Sequence, residues 1–303
     1  MTQPQTSHQG SLWAVQHMWK QSILAKLREA YRHDLVAKTE HCHTLASILR
    51  CRHCGRSSEF MNRCEIFWCP VCQPRLHRER VERVRWWSLQ IQQPKHMVLT
   101  ARNTSTIHKS RVDAFKKAFG QLRRSKFAEA WRGGTWSLEV TNEGRGWHLH
   151  LHSLVDADWI SGSTLAKEWA KRLGQDFAIV KVKDARAKEY LLEVTKYTCK
   201  PNQLSSWDKL DIAAYIDAFS SGRNFGVFGM LHGKQKEWRD FLKAQEQRRQ
   251  LCECGSTSWE VTDATTLEAR ELACQPCEPK RLEAPLHHPE LFETPTAIAA
   301  LSR

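Results

Sequence analysis

The sequence predicts an α+β fold in which an antiparallel sheet carries helices on one face. Two observations predict it. The stretch "GGTWSLEVTNEGRGWHLHLHSLVD" alternates apolar and polar residues on either side of a Gly-containing turn, the pattern of a hairpin. Around that hairpin the elements run strand, helix, hairpin, helix, strand, helix, and helices on one side of a sheet are the simplest packing for that order. With 303 residues the chain can bury one full core and a smaller module.

Each element follows from its local pattern. Residues 1–45 read as a polar tail running into the helix "SILAKLREAYRHDLVAKT". Residues 51–72 hold five cysteines. The charged stretch "RLHRERVERVRWWSLQIQQ" reads as a helix, with Val81, Val84 and Trp87 spaced for one face. "KHMVLTARN" is short and apolar, hence a strand. Residues 107–130 read as an amphipathic helix, followed by the hairpin. Residues 164–173 are helical, "FAIVKVK" is a strand, and residues 185–200 form a helix stopped by Pro201. Residues 208–219 are helical again, and a linker-like helix leads to a second cysteine cluster at 252–277. The Pro-rich end is expected to be disordered, and no internal repeat is present.

Charge indicates the partner. Lys and Arg total 46 against 33 Asp and Glu, a net +13, which favours a polyanion, most simply nucleic acid. The start "MTQPQTSHQG" lacks the apolar run of a leader, and no stretch approaches a membrane span. A cytoplasmic protein is therefore expected, without membrane partners. Disulfides are rare there, so the 11 cysteines point to metal.

Residues two apart on a strand share a face. His148, His150 and His152 thus point one way, and Trp147, Leu149 and Leu151 the other. On the preceding strand Ser137, Glu139 and Thr141 form the polar face. If Asn142 pairs with Trp147, Glu139 lies opposite His150. Side chains two apart on a strand stand roughly 6.5–7 Å apart. Two imidazoles can therefore lean onto one ion, whereas three in a row span too far. His150, His152 and Glu139 are the expected ligands of a catalytic divalent ion, with His148 behind them or as a substitute. The bland alternative is a solvated strand face.

In "KEYLLEVTKYTCKP", Glu193 and Tyr197 are helix neighbours, and Lys200 follows three residues on, although Pro201 weakens its helical geometry. Tyr190 lies two turns before Tyr197, and two of the chain's four tyrosines fall here. Cations near a phenol favour the phenolate, and phenolate attack on a phosphodiester stores the bond as a new ester. Glu193 would serve as base for a second attacker. A tyrosine packing its ring at a helix end is the structural alternative.

"CRHCGRSSEFMNRCEIFWCPVC" holds two Cys-x-x-Cys knuckles. Cys51, Cys54, Cys69 and Cys72 are expected to hold structural Zn, with Cys64 spare or alternate. Cys252, Cys254, Cys274 and Cys277 suit a second Zn, although the first knuckle is one residue short. Arg75, Arg78, Arg80 and Arg83 flank the first cluster and can grip phosphates, or form a solvated helix face.

Together these segments resemble the rolling-circle replication initiators of small plasmids, within the HUH endonuclease superfamily. "HMVLTARN" resembles the strand ending in Leu-Thr, here Leu99 and Thr100. "WHLHLHSLV" resembles the metal motif, with His150, Leu151 and His152 as its core. "EVTKYTCK" resembles the Tyr-x-x-Lys motif, here Tyr197 and Lys200. A subgroup carries Glu four residues before the tyrosine, which corresponds to Glu193. "WCPVCQPRLHRER" and "NFGVFG" also resemble flanking stretches, so the likeness covers residues 45–232.

The resemblance implies a ferredoxin-like sheet with the histidines on its central strand. It implies Mg or Mn, nicking at a plasmid origin that is single-stranded at the nick, a 5′-phosphotyrosine link, and a 3′-hydroxyl extended by host helicase and polymerase. Zinc would also suit the ligands. Tyr190 leaves open a second-tyrosine role, as in some rolling-circle enzymes, but its seven-residue offset matches no recognised pattern, and Glu193 ranks above it as the second-step group. The expected division is 1–45 tail and helix, 46–92 zinc module and basic helix, 93–235 nicking and joining domain, 236–280 linker helix and second zinc ribbon, and 281–303 disordered tail. The rivals are a rolling-circle transposase with the same chemistry and a non-catalytic zinc-bearing DNA-binding protein.

Overall fold

A computed structural model describes residues 8–185, 199–220, 222–249 and 252–263. The fold is α+β, with two antiparallel sheets. The chain divides into two compact units, one drawn from Met1–Cys42 and Arg63–Asp240, the other from His43–Asn62 and Phe241–Arg303. This division differs from the sequential one expected, because the second unit joins two stretches far apart in sequence.

The first unit is built on a five-stranded sheet of order β6-β3-β5-β4-β7. Its strands are β3 (Pro94–Thr100), β4 (Gly133–Asn142), β5 (Trp147–Asp156), β6 (Val180–Asp184) and β7 (Phe225–Gly229). The histidine strand β5 is therefore the central strand. β4 and β5 pair from Gly133↔Asp156 to Asn142↔Trp147, the register that alternation on both strands requires. Gly146 closes the turn at φ +83°, and a Cβ there would meet the Thr104 carbonyl oxygen at 2.5 Å. Both the backbone angle and that contact favour glycine.

One face of the sheet is apolar. Leu99, Leu138, Val140, Leu149 and Leu151 are buried there in the main core. Phe115 and Phe119 of α4 (Lys109–Arg123), Leu165 and Trp169 of α5 (Gly162–Leu173), and Ile216 of the helix Lys209–Phe219 complete that core. Trp169 fixes α5 by donating from Nε1 to the Thr100 carbonyl at 2.8 Å. The opposite face carries the histidines. Its Leu154 end is covered by α3 (Gln73–Ser88), through Val84 and Trp87.

Several elements depart from their sequence patterns. The N-terminal helix is two helices, α1 (His8–Glu29) and α2 (His33–Glu40), separated where Tyr31 takes φ +58°. The helix expected over 107–130 ends at Arg123, followed by a 3-10 turn at Lys126–Ala128. β6 starts only at Val180, where pairing with Leu99 begins, so Phe177 and Ile179 stay exposed. The helix expected over 185–200 lies largely outside the described residues, and Lys200 itself is extended, leading into the helix Pro201–Ser206.

The second unit contains a three-stranded sheet of order β2-β1-β8, from β1 (Leu45–Cys51), β2 (Ser57–Met61) and β8 (Trp259–Asp263). β1 pairs with β8 from Ser47↔Asp263 to Cys51↔Trp259. Among the described residues, no helix is long and apolar enough to cross a membrane.

Candidate functional site

The polar face of the central strands gathers the candidate site. β4 and β5 place Thr141 opposite His148, Glu139 opposite His150, and Ser137 opposite His152. Glu139 and His152 are buried, and His150 is half-buried. One ligand atom from each of Glu139, His150 and His152 lies within 4.8 Å of the others. His152 Nε2 and Glu139 Oε2 share a hydrogen bond of 3.0 Å. Two cis ligands of an octahedral ion with bonds of about 2.1 Å stand about 3.0 Å apart, so these two atoms need little movement to share one. A carboxylate and two imidazoles converging on a half-open strand face can hold a divalent cation.

His148 stands outside that triad. Its Nδ1 lies 2.9 Å from His150 Nε2, so it orients the ring of its neighbour. Burial pushes the His148 imidazole below its ordinary range, which favours its neutral, hydrogen-bonding form. The sequence reading missed His96. Its buried ring stacks on His152, with centroids 5.7 Å apart and planes at 17°. The alternation of "HMVLT" carries that signal, since His96, Val98 and Thr100 share the histidine face of β3.

Tyr197, Glu193 and Tyr190 lie outside the described residues. The chain is described again at Cys199, which is buried, and at Lys200, which is exposed. Burial raises the Cys199 thiol, and the charge of Glu139 raises it further.

The cysteines form two groups, each within one compact unit, and the grouping differs from the expected one. Cys69 and Cys72 join Cys42 and Cys64, whereas Cys51 and Cys54 join Cys252 and Cys254. Cys42 Sγ is 3.4 Å from Cys72 and 3.7 Å from Cys69, and Cys64 is 3.7 Å from Cys72. In the other group, Cys51 to Cys254 is 3.7 Å and Cys54 to Cys252 is 3.5 Å. Sulfurs bound at about 2.3 Å to a tetrahedral ion stand about 3.8 Å apart. These separations are near that edge and far from the roughly 2.05 Å of a disulfide. Both groups can hold a metal ion.

The sheet explains the exchange of partners. β1 ends at Cys51 and pairs with β8, which brings the 252–254 turn to the 51–54 turn. Cys64, set aside as spare in the sequence reading, is a member of the first group, and Cys42 was missed. Counting could have found it, since Cys64, Cys69 and Cys72 leave a tetrahedral site one ligand short. Cys274 and Cys277 lie outside the described residues.

Of Arg75, Arg78, Arg80 and Arg83 on α3, Arg78 is exposed. Arg75 is ion-paired to Glu65 and Glu79. Arg80 lies over the Phe225 ring at 4.9 Å, and Arg83 lies 5.9 Å from the rings of both Trp87 and Trp238. Burial lowers the Arg83 pKa. Three of the four are thus engaged within the protein. On the histidine face, the edge strand β6 adds exposed Lys181 and Lys183, paired with Val98 and His96.

The sequence matches the model of the Rep_1 family, described as replication protein, over residues 57–273. Neither the curated proteins nor the solved structures contain a match. The matched span includes the whole five-stranded sheet and most of the cysteines.

Proposed function

Because the chain belongs to the Rep_1 replication protein family, we propose that it initiates rolling-circle replication of a plasmid by nicking and rejoining one strand of the origin. The observation that carries this reading is the convergence of Glu139, His150 and His152 on the central strands. The influence of the Glu139 charge on Cys199, two residues after Tyr197 in sequence, is consistent with it.

In this reading the Tyr197 phenolate attacks a backbone phosphorus of single-stranded origin DNA. The P–Oη bond forms, the P–O3′ bond breaks, and the DNA leaves a 3′-hydroxyl and a 5′-phosphotyrosine. The phosphodiester is exchanged, so no external energy source is needed to rejoin it. Glu139, His150 and His152 would hold magnesium or manganese, which when bound withdraws charge from the phosphate. His148 orients His150. Lys200, exposed three residues after Tyr197, offers a positive charge to the phosphate. Glu193 accepts the proton of the second attacker, a water or 3′-hydroxyl, when the link is resolved.

The partners follow: origin DNA as substrate, then a host helicase and polymerase that extend the 3′-hydroxyl. The exposed Arg78, Lys181 and Lys183 offer positive charge to the DNA backbone. The two cysteine groups hold structural zinc. A single-stranded oligonucleotide carrying the origin tests the reading. Nicking with manganese that stops on adding EDTA is expected, whereas tight binding without cleavage under any divalent ion would contradict it.

A further inference from the structure

We propose that Gln73 is a positioning residue which couples the Cys42/Cys64/Cys69/Cys72 cluster to the backbone at Cys199, two residues after Tyr197 in sequence. Gln73 is the first residue of α3 and directly follows Cys72. Its side chain is buried, and its Nε2 lies 3.0 Å from the Phe67 carbonyl and 3.3 Å from the Cys199 carbonyl. A carbonyl oxygen cannot donate, so the atom facing two carbonyls is the amide nitrogen, using both of its protons.

Every link in this chain of contacts is short. The Gln73 backbone N–H donates to the Cys69 carbonyl at 2.9 Å, which fixes the residue to the cysteine knot. Phe67 lies between Cys64 and Cys69 in sequence, so its carbonyl belongs to the same knot. Phe67 in turn packs edge-on against the buried Tyr215, with centroids 5.8 Å apart. The Cys199 carbonyl is the one point among the described residues where the Gln73 side chain holds the far segment. That carbonyl lies two residues after Tyr197 and immediately before Lys200.

The physical consequence is division of labour. Four thiolates around one ion make a rigid knot from three short stretches of chain. A buried amide bridging that knot to the Cys199 carbonyl holds that point of the backbone in place. Catalysis by a positioned nucleophile depends on sub-ångström placement, and a displacement of about 1 Å can cost on the order of 100-fold. Gln73 need touch neither DNA nor ion to matter. This inference rests on the nicking reading for its catalytic effect, and on the contacts alone for its effect on the segment.

The test uses the full chain with Gln73→Ala and with Gln73→Met, which keeps volume but has no donor. Three quantities are read: zinc per chain, hydrogen exchange at Cys199 and Lys200, and the single-turnover rate of covalent adduct formation. Both variants are expected to keep their zinc and their affinity for origin DNA. Exchange at Cys199 and Lys200 should quicken while β4 and β5 stay protected, and the rate should fall on the order of 100-fold. Exchange and rate both within about twofold of wild type, with zinc retained, would overturn the proposal. If the wild-type protein forms no adduct, the nicking reading fails, and the exchange data still decide whether Gln73 holds the segment. Should Gln73→Ala not fold, Gln73→Met carries the same comparison.

Discussion

Glu139 and His152 stand on neighbouring strands and meet through a buried hydrogen bond of 3.0 Å between Oε2 and Nε2. Breaking a buried pair of this kind takes a hydrogen bond from the group that remains. Glu139→Ala is therefore expected to weaken manganese binding by at least the roughly 10–100-fold typical of losing even an outer partner of a metal site. A manganese titration followed by calorimetry reads this directly. Unchanged affinity would remove Glu139 from the ligand set.

His148 touches His150 at 2.9 Å and lies outside the triad. A milder effect follows. His148→Ala should weaken manganese binding by about tenfold or less, while His150→Ala should nearly abolish it. Equal losses in the two variants would make His148 a ligand in its own right.

The cysteine grouping predicts two zinc ions per chain, in separable sites. The double change Cys69→Ser and Cys72→Ser should remove one ion and leave the other on Cys51, Cys54, Cys252 and Cys254. A shared site for Cys51, Cys54, Cys69 and Cys72, with a second ion on Cys252, Cys254, Cys274 and Cys277, would also lose one ion here, so the deciding change is at Cys274 and Cys277, where that grouping loses an ion. Changing Cys274 and Cys277 to serine should leave both ions in place. Atomic-emission metal counts on the purified variants separate these outcomes.

Asp156, at the end of β5, is fully buried. It accepts hydrogen bonds from Arg132 Nη2 at 2.6 Å and from the backbone N–H groups of Gln93 and Gln92 at 2.9 and 3.3 Å. Burial alone would raise its carboxyl, but those donors outweigh it and hold the group below the usual carboxylate range. A depressed carboxyl stabilises the fold above the ordinary carboxylate pKa, and that stability is lost as pH falls through the folded value. Removing one partner of a fully buried pair costs about 3–5 kcal/mol. The partial exposure of Arg132 reduces the expected cost of Arg132→Ala to about 2 kcal/mol. Urea titrations should show that gap at pH 7 and a smaller one in acid. A gap independent of pH would contradict the assignment.

The sequence revealed what short-range periodicity controls. Alternation on both sides of one turn fixed the β4–β5 register, and with it the placement of Glu139 opposite His150. What it hid depends on contacts between distant stretches. β8 pairs with β1 across about two hundred residues, so no local pattern tells Cys51 that its partners are Cys252 and Cys254 rather than Cys69 and Cys72. Cys42 has no knuckle of its own, and only the fold delivers it to Cys72. β7 was read as a flanking stretch because five residues, three of them aromatic or branched and two of them glycine, carry little strand signal alone. His96 shares the alternation of its own strand, but its stacking on His152 depends on the pairing of β3 with β5.

The most direct measurement is mass mapping of the protein after incubation with single-stranded origin DNA and manganese. The account predicts one DNA-linked peptide, joined through Tyr197, and none from Tyr197→Phe. A link at Tyr190 or elsewhere, or an adduct that persists in Tyr197→Phe, would contradict it.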